Sequence, residues 1–425
     1  MKTAALVIFL VMYLLMIVKS SHRTWFALGA AILFMVVGVL SPGEALGAVN
    51  WNVLMMMCGT MVIVSYFIDS QMPGRIADKI LGKSSDVRSV IILMSLFAGV
   101  ISALIDNVAT VLMIAPVGLA VCRKMDISPV PMILAIAVSS NLQGAATLVG
   151  DTTSILLGDY ARMDFLDFFW LHGKPGIFFG VELGALATIP VMLILFRHLR
   201  QPIETQTRTQ VRDYGPSILL VAMIAVLISL SFFPEKPDVS NGLVCMSFAL
   251  LCIGRDLIRN RETSGLKTAL SEIDFQTLLL LLGLFIAVKA ITEAGVISDL
   301  ASMIAGAGGG NLFLLFTIIV WASVLISAFV DNIPYVATML PVISQISLTL
   351  GIEPYVLYFG LLTGATLGGN ITPIGASANI TGIGILRKNG YEVGFREFMK
   401  IGLPFTLVAV TAGYLYIWFI WGGGI

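Results

Sequence analysis

The stretch Leu367-Gly-Gly-Asn-Ile-Thr-Pro-Ile-Gly-Ala-Ser-Ala-Asn-Ile380 is polar and flexible, yet it lies between strongly apolar flanks. Its three glycines, its proline and the hydrogen-bonding side chains of Asn370, Thr372, Ser377 and Asn379, with Thr381 just beyond, argue against a continuous helix. In a bilayer, backbone released from a helix is tolerated only where protein or a water-filled cavity satisfies it. A helix broken at membrane depth is therefore a candidate ion or substrate site. Moving back 225 positions gives Leu142-Gln-Gly-Ala-Ala-Thr-Leu-Val-Gly-Asp-Thr-Thr-Ser-Ile155. That segment keeps Leu142, Gly144, Thr147, Gly150 and Ile155 in register with Leu367, Gly369, Thr372, Gly375 and Ile380.

The composition supplies the membrane. A chain of 425 residues with 58% hydrophobic and 12% charged residues, and a mean hydropathy of +0.96, is too apolar for an ordinary soluble protein. The formal net charge of +0 is distributed by loop rather than gathered in a patch, so no nucleic-acid partner is expected. Cys58, Cys122, Cys245 and Cys252 lack metal-site spacing, and His22, His172 and His198 fall in loops or at span ends. The expected class is an all-α polytopic membrane protein.

Stretches able to cross, or nearly so, fall at 4–18, 24–40, 50–69, 175–196, 214–233, 240–256, 272–292 and 401–422. Between them, 88–122 holds two shorter apolar arms meeting at Asp106-Asn107, and 311–348 repeats this around Asp331-Asn332. Each pair of arms reads as a re-entrant helical hairpin or as two full spans, and is followed by a broken helix, at 130–160 and 354–386. Amphipathic pieces near 74–82 and 296–305 are too short to span and are placed at the interface. This divides the chain into an N-terminal repeat, 1–200, a cytoplasmic linker, 201–213, and a C-terminal repeat, 214–425. With this layout, 20 of the 25 basic residues, Arg23 among them, fall on one face, which is then cytoplasmic, with both termini outside.

The offset of 225 also aligns Ser102, Asp106, Asn107, Val111 and Pro116 with Ser327, Asp331, Asn332, Val336 and Pro341. An offset of 224 brings Gly59, Ala77 and Ile80 onto Gly283, Ala301 and Ile304. Apolar matches arise easily by chance, but a shared Asp-Asn, Pro and Thr-x-x-Gly do not. Five net crossings per half make the two repeats inverted in topology, the arrangement of secondary transporters whose site lies where the halves meet.

The segments Ser102–Pro116, Asn141–Asp151, Asp331-Asn-Ile-Pro and Gly368–Asn379 resemble the ion transporter superfamily. The likeness is greatest to its branch of arsenite permeases, the melanosomal P protein, citrate-transporter-like permeases and some sodium/proton antiporters. The resemblance implies a scaffold, a mobile transport domain with two oppositely facing re-entrant hairpins, a homodimer, and elevator-type alternating access; the expected location is a prokaryotic cytoplasmic membrane. In the dicarboxylate members the hairpin tips read Ser-Asn-Thr. Here Asp106-Asn107-Val108 and Asp331-Asn332-Ile333 put a carboxylate in place of the first hydroxyl, which favours a cationic or protonatable element over a dicarboxylate.

Asp106 and Asp331 are candidates for a sodium or proton site, with helix capping as the alternative or added role. Asp151, opposite Ala376 in the repeat, is either a cap for the helix that follows or the mark of a coupling site in the first half. Asn107, Asn141, Thr147, Thr152, Asn332, Asn370, Thr372, Ser377 and Asn379 offer neutral oxygens and donors, or helix-to-helix bonds. Gly144, Gly150, Gly369 and Gly375 allow backbone to approach a ligand or a helix. Sodium, if bound, is expected at Asp106, Asn107, Asp151, Asp331 and Asn332. No other cofactor is expected. No basic residue except Lys289 is placed near the core. An anion would therefore lean on helix N-termini and co-bound cations. These features lead to an ion-coupled transporter of a small inorganic or organic anion or metalloid. The alternatives are a sodium/proton antiporter, a passive channel and, remotely, an intramembrane aspartyl protease, since Val149-Gly150-Asp151 carries only part of that signature.

Overall fold

The computed structural model describes residues 1–202, 209–233, 235–260 and 269–423. The protein is an all-α polytopic membrane protein whose only described strands are Trp170–Leu171 and Lys174–Pro175, a two-stranded antiparallel pair. The linker expected over 201–213 falls partly on 203–208, outside the described residues.

The first half comprises α1 (Lys2–Val18), α2 (Arg23–Val36), α3 (Pro42–Gly47), α4 (Trp51–Asp69), α5 (Met72–Leu81), α6 (Val87–Ser102), α7 (Asn107–Lys124), α8 (Val130–Gln143), α9 (Thr152–Tyr160) and α10 (Ile177–Leu195). The second comprises α11 (Gly215–Leu230), α12 (Ser240–Asn260), α13 (Phe275–Glu293), α14 (Val296–Ala307), α15 (Leu312–Ser327), α16 (Asn332–Leu350), α17 (Tyr355–Gly368), α18 (Ser377–Lys388) and α19 (Phe395–Trp421). By length and composition six of these, α4, α10, α12, α13, α16 and α19, can cross a bilayer, and the pair α14–α15, bent by 117°, makes a seventh candidate. The span expected over 24–40 stops at Val36, because Gly38 adopts a left-handed φ of 76° and Ser41 and Glu44 then form a capping box that starts α3.

Helix starts follow local chemistry that recurs along the chain. Asn50 accepts from Val53 N at 3.1 Å to start α4, and Asp274 accepts from Thr277 N at 3.0 Å to start α13. Asp86 accepts from Ser89 N at 2.7 Å ahead of α6, and Asn311 from Leu314 N at 3.1 Å ahead of α15. These cap pairs stand 224 and 225 positions apart, the offsets already seen in the motifs.

Packing recurs in the same way: α6 lies on α8 and α15 on α17, while α4 lies on α12 and α13 on α2. A Cβ on Gly59 would stand 2.4 Å from the Cys245 carbonyl carbon, and one on Gly283 would stand 2.7 Å from that of Ala27. Each glycine therefore admits a neighbouring backbone that no larger residue would allow. Every residue of α8 but Pro131 is buried, as is every residue of α17 after Tyr355. Helices apolar on all sides need cover on all sides, and these two form the centre of the molecule.

Candidate functional site

Both hairpins turn at an aspartate that caps the returning arm. Asp106 accepts from the backbone N–H groups of Val108 at 3.0 Å and Ala109 at 3.2 Å, and Asp331 accepts from that of Ile333 at 3.1 Å. Capping is thus a real role of both residues, as anticipated for Asp and Asn at such positions. Behind each tip, the broken helix is fastened by one threonine. Thr147 Oγ1 donates to the Ala103 carbonyl, and Thr372 Oγ1 donates to the Ala328 carbonyl.

The two glycines of these breaks are confined by carbonyl oxygens. A Cβ on Gly150 would lie 2.6 Å from Gly144 O, 2.8 Å from Ser102 O and 3.0 Å from Ala103 O. On Gly375 it would lie 2.6 Å from Gly369 O and 2.8 Å from both Ser327 O and Ala328 O. Backbone oxygens packed this closely tolerate no side chain. Asn379 Nδ2 donates to Gly369 O at 3.0 Å and Thr372 O at 3.1 Å, closing the second break, while its Oδ1 is buried without a partner. Ser154, at the matching place in the first break, donates to Gly144 O at 3.2 Å.

The halves interlock through amides. Asn107 Nδ2 donates to Asn141 Oδ1 at 2.9 Å, and Asn141 Nδ2 donates to Thr366 O at 2.6 Å and Asn370 Oδ1 at 3.1 Å. Asn370 Nδ2 returns to Val138 O at 2.8 Å. This chain joins the tip of the first hairpin to α8 and then to α17, with Asn141 and Asn370 fully buried. Such amides use nearly all their bonding capacity inside the protein, so they hold the site rather than face a ligand.

A cavity of about 330 Å³ lies against these groups. Asp106, Asn107, Asp151, Thr152, Asn332 and Ser377 line its inner part, and Asp69, Glu272 and Asp274, all exposed, line its mouth. Among the described residues its lining has five carboxylates and no basic side chain. Asp151 is only 3% exposed. Its side chain does not cap α9; its Oδ2 accepts from Thr153 Oγ1 at 2.6 Å, and that hydroxyl meets Thr366 Oγ1 at 2.9 Å. Among the described residues, no three His, Cys, Asp or Glu side chains cluster to hold a metal ion.

Six of the expected site residues therefore share the cavity, while Asn141, Gly144, Thr147, Gly150, Asn370, Thr372, Gly375 and Asn379 stand behind it as support. Asp331 is set apart from the lining. Its Oδ2 accepts from Ser377 Oγ at 3.3 Å and pairs with the guanidinium of Arg23, the first residue of α2. The sequence placed Arg23 with the loop charges and the core without basic residues. The ion pair corrects this: the tight turn at Ser20–His22 starts α2 at Arg23, whose side chain reaches Asp331 at the second tip. Asp69, Glu272 and Asp274 were also missed. The shared cap offset of Asn50 and Asp274 was the available signal for the last.

The family model described as citrate transporter matches residues 12–364 and 263–423, which together run along nearly the whole chain. The chain belongs to the citrate transporter family. An uncharacterized transporter of Mycobacterium tuberculosis is 34% identical over 98% of both chains. The human P protein is 26% identical over 98% of this chain, which spans 59% of that protein's length. Among solved structures, the YdaH transporter of Alcanivorax borkumensis is similar with a TM-score of 0.61 at 15% identity, covering 91% of this chain and 88% of that one. The last likeness concerns the fold. The family and the relatives make this member a membrane transporter.

Proposed function

We propose that this member of the citrate transporter family is an ion-coupled secondary transporter. Its cargo would be a small anion or metalloid, citrate-like or arsenite-like, moved by elevator-type alternating access with sodium or protons as the coupling ion. The observation that carries this reading is the one cavity shared by the first tip, the start of the second returning arm and both breaks, with five carboxylates and no basic side chain in its lining. An uncompensated anion entering such a field would be repelled. Cations must therefore enter with it, which is coupling by charge neutralisation. Asp106 and Asp151 are the acidic groups of the inner cavity, with Asn107, Thr152, Asn332 and Ser377 as neutral ligands around them.

The same five carboxylates favour a second reading, a sodium/proton antiporter without an anionic cargo. A homodimer in a prokaryotic cytoplasmic membrane, with both termini outside, completes the proposal. Melting of the purified protein against sodium, citrate and arsenite at several pH values tests it, since a ligand of the folded state raises its stability. A cation response that citrate or arsenite increases is the expected result. A response to sodium or acid alone, with no anion adding to it, would replace symport by antiport.

A further inference from the structure

The two hairpin tips are related by the 225-residue offset, yet only one of them carries a cation of its own. Asp331 is paired with Arg23, their side chains being 13% and 23% exposed. Among the described residues Asp106 has no ion-pair partner, and its ligands are backbone N–H groups. The place equivalent to Arg23 can be located from the packing. Gly59 admits the backbone at Cys245–Met246 and Gly283 admits that at Ala27–Leu28, so Cys245 corresponds to Ala27. Four residues before each stand Asn241 and Arg23. The counterpart of Arg23 is therefore a neutral amide, Asn241 of α12, which lines a separate cavity with Asp159 rather than the one that holds Asp106.

We propose that Arg23 is a positioning residue of the transport cycle: a tethered cation that fills, at the second tip, the charge requirement that the first tip leaves to a mobile ion. The inference rests on the ion-coupled reading above. The carboxylate on each tip is a demand for positive charge in a poorly solvated place. At Asp331 the chain supplies that charge permanently, with Asp274 at the cavity mouth adding to the field on Arg23. At Asp106 it does not. The coupling cation is thereby restricted to the first half, beside Asp106 and Asp151, and the second tip binds none. Ser377, which donates to Asp331 from the cavity wall, links the neutralised tip to the space the cargo would occupy.

The test uses the full-length protein in detergent, melted in sodium chloride against choline chloride at constant ionic strength, and separately across pH. The wild type is expected to respond to sodium or to acid. Arg23→Gln, which leaves Asp331 unpaired, is expected to gain an additional response, a rise of about 2 °C per tenfold increase in the cation. Arg23→Lys and the double variant Arg23→Gln/Asp331→Asn are expected to return to the wild-type response, a reversion that a purely structural ion pair would not produce. Asp106→Asn, which keeps its capping ability, is expected to lose the wild-type response. If Arg23→Gln cannot be recovered folded, the last two variants decide. The inference is overturned if the double variant loses the response as Asp106→Asn does, if Arg23→Gln responds as the wild type, or if the wild type responds to neither cation. Citrate and arsenite uptake by the wild type is measured in parallel, so that failed transport with an intact ion pattern counts against the transport reading alone.

Discussion

Asn141 carries more of the site's geometry than any other single side chain. It accepts from the first tip and donates to two groups of the second broken helix while itself fully buried. Asn141→Ala strands Asn107, Asn370 and the Thr366 carbonyl, and is expected to cost about 1–3 kcal/mol for each buried group left unsatisfied. The melting temperature of the variant measures this. A double-mutant cycle with Asn370→Ala should show non-additivity, since the two share one network. Outside the membrane, Asp213 is held low, at about 2, by Arg255, the Gly215 N–H and Arg259. A carboxyl whose folded pKa lies below its unfolded value of 3.8 stabilises the protein above that value and loses the contribution as pH falls toward 2. Asp213→Asn is therefore expected to lower stability at pH 6 and to converge on the wild type near pH 2, as read from melting curves across that range. The tip aspartates were legible in the sequence because an Asp-Asn pair inside an apolar segment marks a break that needs capping and an ionisable group that is costly there. Arg23 was not, because its partner is 308 residues away and a basic residue after a span reads as a flanking charge.

At the scale of elements, repetition made the fold readable. The apolar runs, the hairpins and the breaks were marked in the sequence by composition and by the offsets of 224 and 225, and helices form no more than six residues from the expected starts of those runs. Boundaries shifted where capping overrode hydropathy, as at Gly38 and the Ser41–Glu44 box. Which helices touch was not legible, because α4 meets α12 and α13 meets α2 across the two halves, and apolar faces do not encode partners. The glycines at those crossings give the test. Gly59→Ala places a Cβ 2.4 Å from the Cys245 carbonyl carbon, and Gly283→Ala places one 2.7 Å from that of Ala27. Each must force the helices apart, at about 1–3 kcal/mol. Gly254→Ala, with nothing within 4 Å, should leave the melting temperature unchanged in the same assay.

For the whole molecule, the arrangement gathers carboxylates on the cavity and pairs the second tip with a basic side chain. The cavity has carboxylates at its mouth and two more at depth, and the second tip is closed off by Arg23. The family and the relatives make the protein a membrane transporter, and the acidic cavity is the reason to expect that its cargo moves with a cation. The most direct test is concentrative uptake of labelled citrate into proteoliposomes under an imposed sodium or proton gradient, with wild type and Asp106→Asn compared at equal folded content. Accumulation that requires the cation gradient in the wild type, and falls at least tenfold in the variant, is the predicted result. Citrate that only equilibrates, or accumulates equally well without Asp106, would contradict the account.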